Sequence, residues 1–227
     1  MSRLALLAAA VLAAAAAPTA RAESLDVDLS RLGPPDPQVW TTVYFLNTGG
    51  TLTPADASKL ASEARQRFAI LSTELALALS SAVLQPASTT GYAGFAVDLE
   101  VASMPVHSDP VGVATAGYSN KVWPTDTQPG ALLMPSIHVR KALPFSFEVG
   151  GRLIYLPSSN AYAAQGEAQR AVKEGVDWVA DVAFRGAYTQ LFGVKGWNLS
   201  ATDLDLMVSR RWAIMGVTSL RPYLVAR

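Results

Sequence analysis

From Gly91 onward the chain alternates apolar and polar residues with a period of two, and holds that pattern almost to its end. Successive side chains of a β-strand point to opposite faces, so the repeat predicts strands. Phe95, Val97, Leu99 and Val101 share one face against Ala96, Asp98 and Glu100. The pattern returns in Leu133, Ile137 and Val139 against Met134, Ser136, His138 and Arg140. Phe145, Phe147, Val149 and Leu153 then oppose Glu148 and Arg152. Further along, Tyr162, Ala164 and Ala168 oppose Gln165, Glu167, Gln169 and Lys173, with Arg170 out of pattern on the apolar side. Val182, Phe184 and Tyr188 oppose Asp181, Arg185 and Thr189, and Leu204, Leu206 and Val208 oppose Asp203, Asp205, Ser209 and Arg211. A seventh, shorter strand is expected over residues 217–225.

Most of these strands run 10–15 residues, where about five or six is usual in a soluble sandwich. A tilted strand crosses a bilayer in about 9–11 residues. Apart from a long proline-bearing loop at 105–130, the connections are short. One face is apolar and the other carries charge in nearly every strand, which is the repeat of an antiparallel up-and-down transmembrane β-barrel. Aromatics fall at two levels, with Phe145, Phe147, Trp178 and Trp212 near one set of turns and Tyr155, Tyr162 and Tyr188 toward the other. Two such levels are expected where headgroups meet hydrocarbon. A soluble barrel has the two faces reversed, and its narrow interior holds few large aromatics.

Three segments precede the strands. Residues 1–22 have a basic start, a 14-residue apolar run and a small-x-small site at 20–22. That is a secretory signal peptide, too short for a membrane helix of about 20 residues. Residues 23–52 read as irregular, with a short strand over 39–46. Over residues 53–86, Thr53-Pro54-Ala55-Asp56 starts an amphipathic helix. Its stripe runs through Leu60, Ala64, Phe68, Leu71, Leu75, Leu79 and Ala82, and Pro86 stops it.

The signal peptide and residues 91–226 together resemble a Gram-negative outer-membrane β-barrel protein, with 138–151 and 202–211 similar to strands of that family. The resemblance implies an outer-membrane location, contact with outer-membrane lipid, and insertion by the outer-membrane assembly machinery. Family barrels close with an even number of strands, and an open edge in lipid leaves backbone groups unsatisfied. Seven strands therefore point to a C-terminally truncated barrel, with residues 39–46 as the alternative source of an eighth. The chain also lacks the family's terminal aromatic.

The chain has no cysteine, two histidines and a formal net charge of zero. Disulfide frameworks, thiolate metal sites and cysteine nucleophiles are excluded. No electrostatic case for nucleic acid arises, and no cofactor motif occurs. Ser136 and His138 share a strand face, as in some outer-membrane lipid hydrolases, but no acid is identifiable to orient the base. They are weak catalytic candidates, and the plainer reading is a pair lining the interior. Asp203 and Asp205 suggest a cation site less readily than pairing with arginines of neighbouring strands. The expected lumen-facing set is Asp98, Glu100, Arg140, Glu148, Arg152, Glu167, Asp181, Arg185, Asp203, Asp205 and Arg211. Its mixed signs suit a narrow or plugged barrel more than an open selective pore, with the helix as plug or cap at the periplasmic mouth or on the outer apolar face. The sequence thus favours a structural, passive pore or transport role without catalysis, solute unnamed. A lipid-acting hydrolase and a periplasmic lipid-carrying soluble barrel are the alternatives.

Overall fold

The computed structural model describes residues 27–80, 85–91, 93–125, 130–157, 159–173, 179–214 and 218–227. The signal-peptide segment, Trp178 and Ala82 lie outside them.

Two helices come first. Helix α1 spans Pro37–Thr48, where a strand over 39–46 was expected. Asp36 caps its N-terminus by accepting the Gln38 N–H, Pro37 opens the first turn, and Gly49 closes it in the left-handed conformation at φ 70°. These local signals outweigh the β-branched and aromatic composition, and burial of Trp40 against Ala57, Leu60 and Ala61 fixes the outcome. Helix α2 spans Pro54–Leu79. Thr53 accepts the Asp56 N–H as N-cap, and Ser80 stands at the C-cap after Leu79, its N–H bonded to the Ala76 carbonyl.

Strands β1 (Phe95–Pro105), β2 (Ala131–Leu143), β3 (Phe147–Tyr155), β4 (Tyr162–Lys173), β5 (Asp181–Phe192) and β6 (Ser200–Ser209) pair antiparallel, each with the next. The expected seventh strand is broken. Trp212–Ile214 (β7) and Thr218–Leu220 (β8) form a separate hairpin, and Tyr223–Ala226 (β9) returns to pair with β6 over Leu206–Ser209. Arg221-Pro222 makes the break, since proline has no N–H to give a ladder. The result is a seven-stranded, curled half-barrel with β1 and β9 at its two edges, and among the described residues these edges do not pair.

The sheet's two faces differ as the alternation requires. The uncovered outward face carries Val97, Leu99, Ile137, Val139, Val149, Leu153, Phe184 and Leu206. Exposure climbs toward the edges, to 81% at Leu99 on β1 and 75% at Leu204 on β6. Two rows of the outward face are aromatic in register. Phe147 lies opposite Arg170, which lies opposite Phe184, while Tyr155 lies opposite Tyr162, which lies opposite Phe192. Tyr188 sits midway between the rows rather than at a rim.

The inner face is covered by α2, and this corrects the expected helix position. Leu71, Leu75 and Leu79 pack on Leu132, Met134, Ile154, Ala163 and Leu191. That end of the inner face is apolar, so the helix finds a dry partner inside the curl and needs neither the periplasmic mouth nor the outer face. Phe68 leaves the buried stripe and meets Trp197, ring centroids 5.5 Å apart. The helix also gathers the 106–125 segment. Glu74 accepts the His107 N–H at 2.8 Å and the Trp123 indole N–H at 2.6 Å. Buried Arg67 donates to the carbonyls of Val111 and Leu32 at 2.7 and 2.8 Å, and burial pushes its pKa below the usual arginine value.

Cysteine labelling tests the placement. Leu75 is 1% exposed and Leu77 63%, so Leu75→Cys should resist a water-soluble thiol reagent in the folded protein while Leu77→Cys reacts readily. Equal reaction at both positions would refute the packing.

Candidate functional site

Charge accumulates in the middle of the inner face. Every second residue of each strand points there, so one register row after another delivers an ionisable group to the same side. β1 brings Asp98 and Glu100, β2 His138 and Arg140, β3 Glu148 and Arg152, β4 Glu167, β5 Arg185, and β6 Asp203 and Asp205. Arg140 pairs along diagonals to neighbouring strands, Arg185 and Asp205 lie directly opposite, and the Arg152–Glu100 and His138–Glu167 contacts reach across an intervening strand.

Arg140 joins Asp98 at 2.8 Å and Glu148 at 3.1 Å. Arg152 joins Glu100 at 2.8 Å. His138 places Nε2 2.7 Å from Glu167, and Nδ1 3.4 Å from Glu100 and 3.3 Å from Arg152 Nη2. Arg185 donates from Nε to Glu167 and from Nη1 to Asp205, at 2.8 and 2.7 Å. Arg227, past the end of β9, donates to Asp205 at 2.8 Å. Six carboxylates, four guanidinium groups and His138 make up this girdle, in a short stretch Asp98–Arg140–Glu148 and a longer one from Arg152 and Glu100 through His138, Glu167, Arg185 and Asp205 to Arg227 and Asp203.

The girdle needs a gap in β3. A Cβ on Gly150 would lie 2.7 Å from Glu167 Oε1 and 3.1 Å from Arg140 Cγ. Glu167 Oε1 is held by His138, so it has little room to give. Glycine at this position lets Glu167 reach across to β2.

The segment between α2 and β1 is laid against the same face. Ser80 donates to Asp203 at 2.9 Å and also meets Arg227. Gln85 and Gln169 bond side chain to side chain at 2.7 Å, and Gln169 donates to the Ala87 carbonyl at 3.1 Å. The Ala87 N–H donates to Ser209 and the Thr90 N–H to Glu148, at 3.0 and 2.8 Å. The strap's N–H groups at Ala87 and Thr90 are thus satisfied by side chains of the sheet.

Of the expected inward set, Asp98, Glu100, Arg140, Glu148, Arg152, Glu167, Asp181, Arg185, Asp203 and Asp205 all lie on this covered face. Arg211 does not. β6 stops at Ser209, and Arg211 stands exposed at the bend into β7. Arg227, Gln85 and Ser80 join the site without a sequence signal, because their approach depends on how β9 and the strap fold back. Gln165, Gln169 and Thr189 were legible as polar residues on the inward positions, but not as partners.

Ser136 and His138 share a face, two residues apart, which separates their backbones by about 6.6 Å. Among the described residues Ser136 forms no hydrogen bond with the imidazole, whose two nitrogens are turned to Glu167, Glu100 and Arg152. The ligand atoms of Asp98, Glu100 and His138 lie within 4.8 Å of one another. Arg140 and Arg152 already neutralise the two carboxylates, so a cation would have to displace two guanidinium groups. Asp203 and Asp205 are likewise engaged by Arg227, and Asp205 also by Arg185.

These features define a curled antiparallel half-barrel with an apolar outside and an ion-paired inside. No family model, curated protein or solved structure matches the chain.

Removing one partner of a buried pair leaves its neighbours uncompensated. Arg185→Met should cost about 3–5 kcal/mol of stability on that ground, and Gly150→Ala about 1–3 kcal/mol through overpacking against Glu167. Denaturant unfolding of the folded protein measures both, and wild-type midpoints would remove the girdle from the stability account.

Proposed function

We propose that this chain forms part of the wall of an outer-membrane β-barrel, with a structural, passive pore or transport role and no catalysis. The observation that carries the reading is the reversal of inside and outside. Large apolar side chains cover the uncovered face of the sheet, and buried, ion-paired charge fills the covered one. In water this arrangement exposes a broad hydrophobic surface; in a bilayer it is the stable one.

The aromatic rows support the same reading. Phe147 and Tyr155 are eight residues apart on β3, about 27 Å along the strand and about 20 Å along the barrel axis at a tilt of about 40°. That is close to the apolar band of about 25 Å between the girdles of such barrels. A soluble lipid carrier would turn its apolar face inward, which reverses the arrangement here. A lipid hydrolase would need the imidazole turned to Ser136.

No helix of the described residues is long and apolar enough to cross a membrane, so spanning falls to the strands. In lipid the edges at β1 and β9 need partners. An odd number of further antiparallel strands restores the even count of such barrels. Their number must also leave room for α2, since a helix with its side chains is about 10–12 Å across. Inside such a wall the helix and strap occupy the inner face, which favours a plugged barrel.

Alkaline carbonate extraction of membranes from cells expressing the full chain tests the proposal. The protein should stay with the membrane pellet, and full release into the supernatant would overturn it. Val139 lies midway between the aromatic rows, paired with Val97 and Gly151. Val139→Arg should destabilise the bilayer-inserted protein by about 2–4 kcal/mol, against about 0–1 kcal/mol for Phe145→Arg at the rim. Unfolding in lipid vesicles reads the difference.

A further inference from the structure

The girdle uses Arg140, Arg152, Arg185 and Arg227. The remaining basic side chains of the strand region are distributed unevenly. Lys195 stands at the end of the sheet that carries the 106–125 segment, and Lys121 lies in that segment. Lys141, Arg170, Lys173, Arg210, Arg211 and Arg221 all stand at the opposite end, beside the turn at 144–146 and the β7–β8 hairpin. The carboxylates of that end among the described residues, Asp98, Glu148 and Asp181, point inward, while Glu174 and Asp177 lie outside the described residues.

Two of these cations lie on the apolar outward face itself. Arg170 interrupts the row Tyr162, Ala164, Gly166, Ala168 and Val172, and its guanidinium carbon lies 5.0 Å from the centre of the Phe147 ring. Lys141 donates to the Ala93 carbonyl at 2.6 Å, which uses one of its three N–H groups. The two flank β3, on β2 and β4, two register rows offset, which puts their backbones about 12 Å apart. Exposed aromatics share the level. Phe145, 87% exposed, is held with Ser146 in the left-handed region at φ 64° and 58°, a strained conformation for both. Trp212 and Tyr223 are exposed nearby.

We propose that this rim binds the headgroup phosphates of anionic phospholipid, with Lys141 and Arg170 as the principal contacts and Arg210 and Arg211 completing the positive surface. The proposal rests on the membrane reading above. It selects lipid because cation and hydrocarbon are wanted together. A phosphate meets the guanidinium and ammonium groups by charge-assisted hydrogen bonds, while acyl chains cover Val149 and Leu153 on the same face. At mid-bilayer Arg170 would be costly, whereas at headgroup level its long stem reaches the interface.

The test inserts the full chain into vesicles of phosphatidylethanolamine containing a minor fraction of phosphatidylglycerol. The protein is then recovered in detergent, and the lipids it retains are counted by native mass spectrometry. Phosphatidylglycerol should be enriched over its share of the vesicle, and raised salt during recovery should lower the enrichment. Lys141→Gln and Arg170→Gln should each lower it about fivefold, by the weight of one basic side chain at an anionic surface. Lys195→Gln at the far end should leave it unchanged.

Retention of the two lipids in proportion to the vesicle, or a salt-independent enrichment in wild type, overturns the proposal even if the variants fail to fold. Displacement of phosphatidylglycerol by soluble glycerol phosphate would assign the rim to free phosphate instead. A chain that enters neither this vesicle nor one of phosphatidylethanolamine alone would overturn the membrane reading, while insertion without lipid preference overturns only this one.

Discussion

Glu167 is where the inner face is tied together. Its carboxylate meets His138 on β2 and Arg185 on β5, so one side chain on β4 links three strands. A carboxylate whose side chain is only 4% exposed is tolerable only when it is paired and hydrogen-bonded. Each partner is itself shared, Arg185 with Asp205 and His138 with Glu100 and Arg152. The curl of the sheet brings the inward side chains of neighbouring strands together, and Gly150 leaves room for them. Strand pairing and charge pairing therefore support each other, since a slip of one residue in a strand would turn that strand's girdle members outward.

The helix and strap follow from how the inner face is divided. Its upper end is apolar, at Leu132, Met134, Ile154, Ala163 and Leu191, and takes the leucine stripe of α2. Its middle is charged and meets Ser80 through Asp203. Its lower end offers Gln169, Ser209 and Glu148 to the strap's peptide groups. The covering segment thus becomes polar where the wall becomes polar. Glu74, the lone charge of the last part of the helix, is used to hold the 106–125 segment rather than to face the girdle. An interior filled in this way supports the proposed passive wall element over an open conduit.

Much of this was legible before any fold was known. The period of two located β1 to β6 and sorted their residues correctly between two faces, because a strand's alternation is a local property of the backbone. The N-cap and proline at Thr53-Pro54 located α2 for the same kind of reason. Similar signals at Asp36-Pro37, with Gly49 closing the turn, start and stop α1, where the valine, threonine and aromatic content of 39–46 suggests a strand. Arg211 was misassigned because the alternation continues past Ser209, while the strand itself bends at the arginines that follow.

What the sequence determined by itself was therefore local: which residues alternate, where helices start, and which charges share a side. Tertiary structure decided which charges meet, that α2 lies inside the curl, and that the last strand breaks at Pro222. It also decided that Ser80, Gln85 and Arg227 belong to the inner face. The physical reason is that ion pairs and packing depend on distances between segments far apart in the chain. Alternation fixes the face on which a side chain lies, but only the curl and register of the sheet bring its partner within reach.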